Sequence, residues 1–388
     1  MSPSSPWKIV EHRVPCQHVR EYPAATTVTQ ESVLYLAVKQ YIPLSNINPR
    51  PGDATIIVAP GGGFGKELYE PVCEELLMRY GKEGLKIHSI WAADPAHQAE
   101  SNIINGGRLG IDPSHFDHSR DLLHLINVKR DDMPRPIVAI GHSAGCLSVR
   151  EAWPSRPAAT ESLKRKPFYQ AWDRRVFAQF VKYGLRDVLA KSEISDENGR
   201  PNETTPVRLT TPLVQELASF ARPYHNLPAP DVGVGDPRNR LTHPDLDPES
   251  LTSLPFYRPE ITELFPRLPY LRPSVLYIFG SESHMSLPEL RSDKLRTTGI
   301  ATGGSGGAAA GRVREVVMQG FSHQVPFEAV DGCAEEISRW LACESRRWYR
   351  EEQTLHDRWG KLHVSDQMTI DKDWKAHIRR GHRVKSNL

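Results

Sequence analysis

The 388-residue chain predicts an α/β fold, a mostly parallel sheet covered by helices with a helical cap inserted into it. Three observations lead there. Short apolar runs rich in β-branched residues (55–59, 87–91, 136–140, 274–279 and 312–318) alternate with stretches of helical periodicity, the pattern of strands buried on both faces. Two of those runs end in glycine-rich turns, Gly61-Gly62-Gly63 and Gly141-His142-Ser143-Ala144-Gly145. Between residues 151 and 270 no buried strand is legible, only helical fragments and proline-rich loops.

Taken in order, residues 33–42 alternate in polarity and read as an early, partly exposed strand. The buried run 55–59 follows, and after its glycines residues 67–80 place Leu68, Val72, Leu76 and Leu77 on one helical side. A strand at 87–91, a helix over 114–129 and a strand at 136–140 complete the first half. The inserted segment holds helical fragments over 169–191 and 213–220, two more strands come late, and a helix from residue 327 to about 349 closes the globule. The expected organisation is a core of residues 1–150 and 271–345, a cap of 151–270, and a charged tail of 346–388.

Composition removes several function classes. Lys and Arg number 49 against 47 Asp and Glu, so no electrostatic footprint for nucleic acid is present. The longest apolar runs fall far short of the ~20 residues of a membrane helix. Residues 1–17 mix Pro, Ser and charge and lack the apolar stretch of a secretory signal. The five cysteines stand singly, which argues against a disulfide framework or a zinc site and suits a reducing compartment. The glycines at 303–307 are not followed by Lys-Ser/Thr, so they are not a phosphate loop, and no cofactor is implied.

The chemistry centres on the G-x-S-x-G turn. It follows an apolar strand and precedes a helix, and small residues on either side of Ser143 permit the strained turn that exposes a nucleophilic hydroxyl. A serine needs a base in hydrogen-bond reach. His323, in the turn after the 312–318 strand, is the one of 16 histidines placed for that role. The backbone N–H groups of Ala144 and Gly62 are the expected oxyanion donors, glycine allowing close approach of the main chain. Glu282, just after the 274–279 strand, is the candidate to orient the imidazole. Asp94 lies too early in the sheet for that role and reads as structural. His115 and His118 with Asp112 and Asp117 fit a polar helix start better than a metal site. The basic runs 164–166 and 379–380 read as solvated faces that can also attract an anionic substrate.

On these residues the chain resembles the fungal α/β-hydrolases of secondary-metabolite and host-selective toxin pathways, the family of the peroxisomal acyl-CoA hydrolase of mycophenolic acid biosynthesis. The stretches Glu11-His-Arg-Val-Pro15, Lys66-Glu-Leu-Tyr-Glu-Pro71, Leu254-Pro-Phe-Tyr-Arg-Pro259 and Gly311-Arg-Val-Arg-Glu-Val-Val317 leading into Gly320-Phe-Ser-His323 carry the likeness, besides Gly141–Gly145. The resemblance implies a serine hydrolase of acyl-CoA thioesters, with nucleophile and base on Ser143 and His323 and substrate-facing backbone at Gly62 and Ala144. Two departures stand out. Pro60 replaces the family's histidine before the oxyanion glycine. The family's triad aspartate comes from the strand after the nucleophile helix, whereas here the chain passes from residue 151 straight into cap-like sequence. Three readings follow: Glu282 substitutes, the reading frame has lost an exon, or the protein is a catalytically impaired relative that binds a metabolite. A carboxylesterase and an acyltransferase are the neighbouring enzyme readings. Ser386-Asn387-Leu388 is similar to a peroxisomal Ser-Lys-Leu signal, which implies an import receptor as partner. The oligomeric state is not fixed by sequence.

Overall fold

The run Thr55-Ile56-Ile57-Val58 is apolar on both faces, and it lies in the interior of a sheet. In the computed structural model, which describes residues 5–143, 152–188, 205–223, 243–246, 256–370 and 372–381, five strands of the first half pair in one sheet. These are β1 (Trp7–Pro15), β2 (Tyr35–Pro43), β3 (Ala54–Ala59), β4 (Ile87–Ala93) and β5 (Ile137–Gly141). Their order is β1-β2-β4-β3-β5, with β3 parallel to both β4 and β5, and β2 antiparallel to β1 and β4. Ile56, Ile90, Trp91 and Leu36 are fully buried in this sheet. Helices α1 (Glu70–Lys82), α2 (Ala99–Asn105) and α3 (His115–Val128) connect the strands. Ser114 starts α3 with a reciprocal cap, its side chain accepting from the first turn while Asp117 accepts from the Ser114 N–H.

β1 was not legible in the sequence. An edge strand keeps one face in water and can carry Lys8, Glu11 and Arg13 among its apolar residues, which blurs the apolar run. The cap likewise contains pairings that periodicity does not reveal. β6 (Ala152–Trp153), β7 (Leu185–Asp187) and β8 (Val207–Leu209) form a small antiparallel sheet, β9 (Arg222–Pro223) pairs with β10 (Phe256–Tyr257), and each strand has only two or three residues. Around them lie α4 (Arg156–Lys164), α5 (Pro167–Gln170), α6 (Arg174–Tyr183), α7 (Leu213–Phe220) and α8 (Pro259–Leu264). Of the span 169–191 expected to hold helical fragments, the described residues 169–188 contain the end of α5, then α6, which Asp173 caps, and then β7.

Late in the chain, β11 (Val275–Gly280) and β12 (Val313–Met318) pair in parallel as a separate two-stranded sheet, with α9 (Pro288–Thr297) between them in sequence. The expected single sheet is thus interrupted: among the described residues β5 pairs only with β3, and β11 only with β12. Ile137, Ala139 and Gly141 of β5 are exposed. The short α10 (Val325–Glu328) and the long α11 (Val330–Leu355) follow.

The chain divides into two units, residues 1–341 and 342–388. The second contains the end of α11, then α12 (Val364–Gln367) and α13 (Lys372–Gly381), with Trp359, Met368 and Trp374 exposed. No helix among the described residues is long and apolar enough to cross a membrane.

Candidate active site

Two turns at the carboxyl ends of strands meet. β5 ends at Gly141 and delivers Ser143, while β12 ends at Met318 and delivers His323 through a turn containing Gly320 in the left-handed region (φ 78°). The Ser143 hydroxyl and His323 Nε2 are in hydrogen-bond contact across 180 residues of sequence. The histidine turn is held from below by Glu328, whose carboxylate accepts from the Ser322 N–H at 2.6 Å and from the Ser322 hydroxyl. It also lies against the end of β11, where Glu282 N–H donates to the Phe321 carbonyl at 3.0 Å.

The glycine turn after β3 lies against Ser143. Gly61 is so close that a Cβ there would sit 2.5 Å from the Ser143 carbonyl oxygen, so only glycine fits. All three glycine N–H groups are engaged: Gly61 donates to Tyr69 Oη at 2.8 Å, Gly62 to the Ser143 carbonyl at 3.2 Å, and Gly63 to Gln98 Oε1 at 2.8 Å. Gly62, the expected oxyanion donor, thus has its N–H on the Ser143 carbonyl. Ala144, the other expected oxyanion donor, lies outside the described residues.

His142, which sequence reading passed over as a spacer, links these turns. The His323 carbonyl can only accept, so His142 Nε2 carries the ring hydrogen and donates to it at 3.3 Å. Nδ1 of the neutral ring then accepts from Tyr69 Oη at 2.8 Å, which itself accepts from Gly61. Burial lowers the His142 pKa to about 4, in keeping with a neutral ring making one acceptor and one donor bond. Phe327, with its ring 5.1 Å from His142 and 5.0 Å from Phe64, seals this link from beneath.

The third position of the triad is a correction to the sequence reading. The Glu282 carboxylate does not reach His323; it is exposed and accepts from Ser281 Oγ at 3.2 Å. Residues 280–283 form a turn, in which the Ser283 N–H donates to the Gly280 carbonyl at 3.2 Å. Ser283, next after Glu282, is the one facing inward, with Oγ 3.1 Å from His323 Nδ1. The imidazole therefore has no carboxylate partner among the described residues. Its pKa is lowered from the ordinary histidine value by burial and then by the neighbouring His284 and Lys294. Asp94 is structural, as expected: fully buried, it holds Lys66 beneath the glycine turn.

Beside the glycine turn opens a cavity of about 420 Å³ between Gly63, Phe64 and the cap residues Tyr169, Phe180, Leu209 and Thr211. Lys166, from one of the basic runs, stands on its wall. No cluster of His, Cys, Asp or Glu among the described residues has metal-binding geometry. His118 has both ring nitrogens buried without a partner, and burial lowers its pKa to about 4. His97 is also held well below the usual value by burial.

These histidines fix a pH dependence of stability. Their folded pKa values are depressed, so stability is complete above the unfolded value near 6.5 and falls as the unfolded chain alone takes up protons. For His118 and His142 together the loss is about 3 kcal/mol at about pH 5.5. Urea denaturation at about pH 7.5 and 5.5 measures it, and equal or greater stability at the lower pH would contradict the neutral, buried assignment.

A serine–histidine pair on two strand-end turns of a capped sheet defines an α/β-hydrolase site. The yeast peroxisomal α/β-hydrolase Lpx1 (Saccharomyces cerevisiae) has the same fold, with a TM-score of 0.64 at 14% identity over 98% of this chain and 97% of that one. No family model matches. The type I acyl-CoA thioesterase mpaH′ of Penicillium brevicompactum is 36% identical over 94% of each chain, and mpaH of Penicillium roqueforti is 35% identical over 96% of this chain and 95% of its own. The chain belongs to the fungal α/β-hydrolase family of these thioesterases. The alignment with mpaH′ runs to 420 positions, while 94% of this chain is about 365 residues, so about 55 positions of the relative have no counterpart here.

Proposed function

We propose that the protein hydrolyses an acyl-CoA thioester in a fungal secondary-metabolite pathway. The observation that carries this is the contact of Ser143 Oγ with His323 Nε2 in a chain 36% identical to an acyl-CoA thioesterase. Ser143 Oγ attacks the thioester carbonyl as His323 Nε2 takes its proton. Gly62 N–H exchanges its 3.2 Å bond to the Ser143 carbonyl for the oxyanion, with Ala144 N–H as second donor. Collapse breaks the C–S bond, His323 returns its proton to the thiolate, and the same base then activates water to release the acid. The 420 Å³ cavity takes the acyl group, and Lys166 on its wall faces the phosphates of coenzyme A. The tripeptide 386–388, outside the described residues, supports a peroxisomal address read by an import receptor.

The test is labelling with a fluorophosphonate, located by mass spectrometry, alongside thioester and ester substrates compared side by side. The expected result is an adduct on Ser143, absent from Ser143→Ala, with thioester turnover lowered at least about a thousandfold in that variant. A folded protein that takes no adduct would overturn the catalytic reading. The lack of a carboxylate on His323 among the described residues favours one second reading, a hydrolase-fold protein that binds a metabolite without turning it over. Ligand-dependent stabilisation without Ser143 acylation would establish it.

A further inference from the structure

We infer that Ser283 is the positioning residue of the site, its hydroxyl standing in the third place of the triad and holding His323 in the tautomer that can accept the Ser143 proton. The inference rests on the hydrolase reading of Ser143 and His323.

For Nε2 to accept a proton, Nδ1 must carry one and must donate it to something. Ser283 Oγ lies 3.1 Å from Nδ1, on a side chain only 8% exposed. A hydroxyl accepts two hydrogen bonds and donates one. One acceptor position is filled by the Met285 N–H at 3.2 Å, a local turn in which a side-chain oxygen caps the backbone two residues on. The other faces Nδ1. The Ser283 N–H donates in turn to the Gly280 carbonyl at 3.2 Å, which ties the turn to the end of β11. The hydroxyl is thus fixed by the backbone on both sides of it.

A hydroxyl can orient an imidazole but supplies no negative charge to stabilise the imidazolium that forms in the transition state. The groups facing His323 compound this. His142, His284 and Lys294 are all bases, and His284 has its ring 5.8 Å away. The arrangement is therefore aligned but underpowered, and a single substitution should supply what it lacks. Aspartate forms the same side-chain-to-backbone turn as serine, and more strongly. Ser283→Asp would keep the Met285 bond while presenting a carboxylate to Nδ1.

The experiment compares Ser283→Ala, Ser283→Thr and Ser283→Asp with the parent for kcat and KM on an acyl-CoA, for the pH–rate profile, and for the His323 tautomer and pKa by ¹⁵N NMR. Ser283→Ala is expected to lower kcat about three- to tenfold with KM unchanged, and Ser283→Thr to restore it. Ser283→Asp is expected to raise kcat about tenfold or more and to move the acid limb and the His323 pKa upward by about one unit or more. If alanine and threonine both match the parent, and the His323 titration is unmoved in Ser283→Asp, the assignment is overturned. The NMR readout separates the two layers. Absence of turnover in the parent counts against the hydrolase reading, whereas the tautomer and pKa of His323 judge the role of Ser283 in either case.

Discussion

Replacing Lys66 by methionine is expected to cost the fold about 3–5 kcal/mol. The Lys66 ammonium has no exposure and lies 2.8 Å from Asp94, 3.0 Å from Glu67 and 2.6 Å from Glu100. Glu67 is shared with Lys39 at 3.0 Å, itself 4% exposed and placed over the Tyr183 ring. Two buried cations thus balance two fully buried carboxylates, with the half-exposed Glu100 at the edge. Methionine fills the volume but leaves Asp94 charged and unpaired in a dry site. Burial already pushes the Asp94 carboxyl up, against the pull of Lys66, and loss of the lysine raises it further. A carboxyl with a raised folded pKa binds its proton more tightly folded than unfolded, so the variant loses stability as pH rises. The deficit relative to the parent should be larger at about pH 8 than at about pH 5. Lys66→Met with Asp94→Leu should recover much of it. A deficit under about 1 kcal/mol, or one independent of pH, would show that the network is not the closed set of charges described. Because Lys66 N–H also donates to Asp94 at 2.8 Å, the same pair pins the base of the glycine turn, and turnover should fall with stability.

The elements that sequence reasoning recovers are those whose signal is local. The buried strands announce themselves by continuous apolar runs, and the turn that carries Ser143 by small residues on either side of it. His323 is picked out because the fold puts a histidine after the last strand, and the structure brings its Nε2 to Ser143. What was illegible depends on contacts between distant segments. Glu282 was chosen because it is a carboxylate at the right height in the sheet, but the residue that faces the imidazole is decided by the way the turn after β11 folds, which brings Ser283 to it. Nothing in the sequence around Ser283 distinguishes it from an ordinary loop serine. His142 is equally silent, since its role exists only once Tyr69 and the His323 carbonyl have been brought to either side of it.

Among the described residues the sheet is interrupted and His323 has no carboxylate partner. β5 and β11 each present an unpaired edge among the described residues, and about 55 positions of a 36% identical relative have no counterpart in this chain. The site is held by side-chain links: Gly61 through Tyr69 and His142 to His323, and Glu328 to Ser322. This makes the remaining contact between β11 and the histidine turn unusually important.

That contact gives the second large effect. A Cβ on Gly280 would lie 2.1 Å from the Ser322 carbonyl oxygen and 2.3 Å from that of Phe321, and both are backbone atoms that cannot turn aside. Gly280→Ala must push the end of β11 away from the histidine turn, displacing His323 from Ser143 and Ser283 from His323 in one step. A shift of about 1 Å in a catalytic group lowers kcat about a hundredfold, and the overpacking costs about 1–3 kcal/mol of stability. Gly81→Ala is the control, since nothing lies within 4 Å of its added carbon and it sits inside α1, where alanine is the better helix former. Thioester turnover, fluorophosphonate labelling rate and thermal denaturation of both variants measure the difference. Gly81→Ala should match the parent in activity and hold or gain stability. A folded Gly280→Ala protein with parental turnover would mean that β11 does not abut the His323 turn during catalysis, and that Ser143 and His323 are aligned by the His142 link alone.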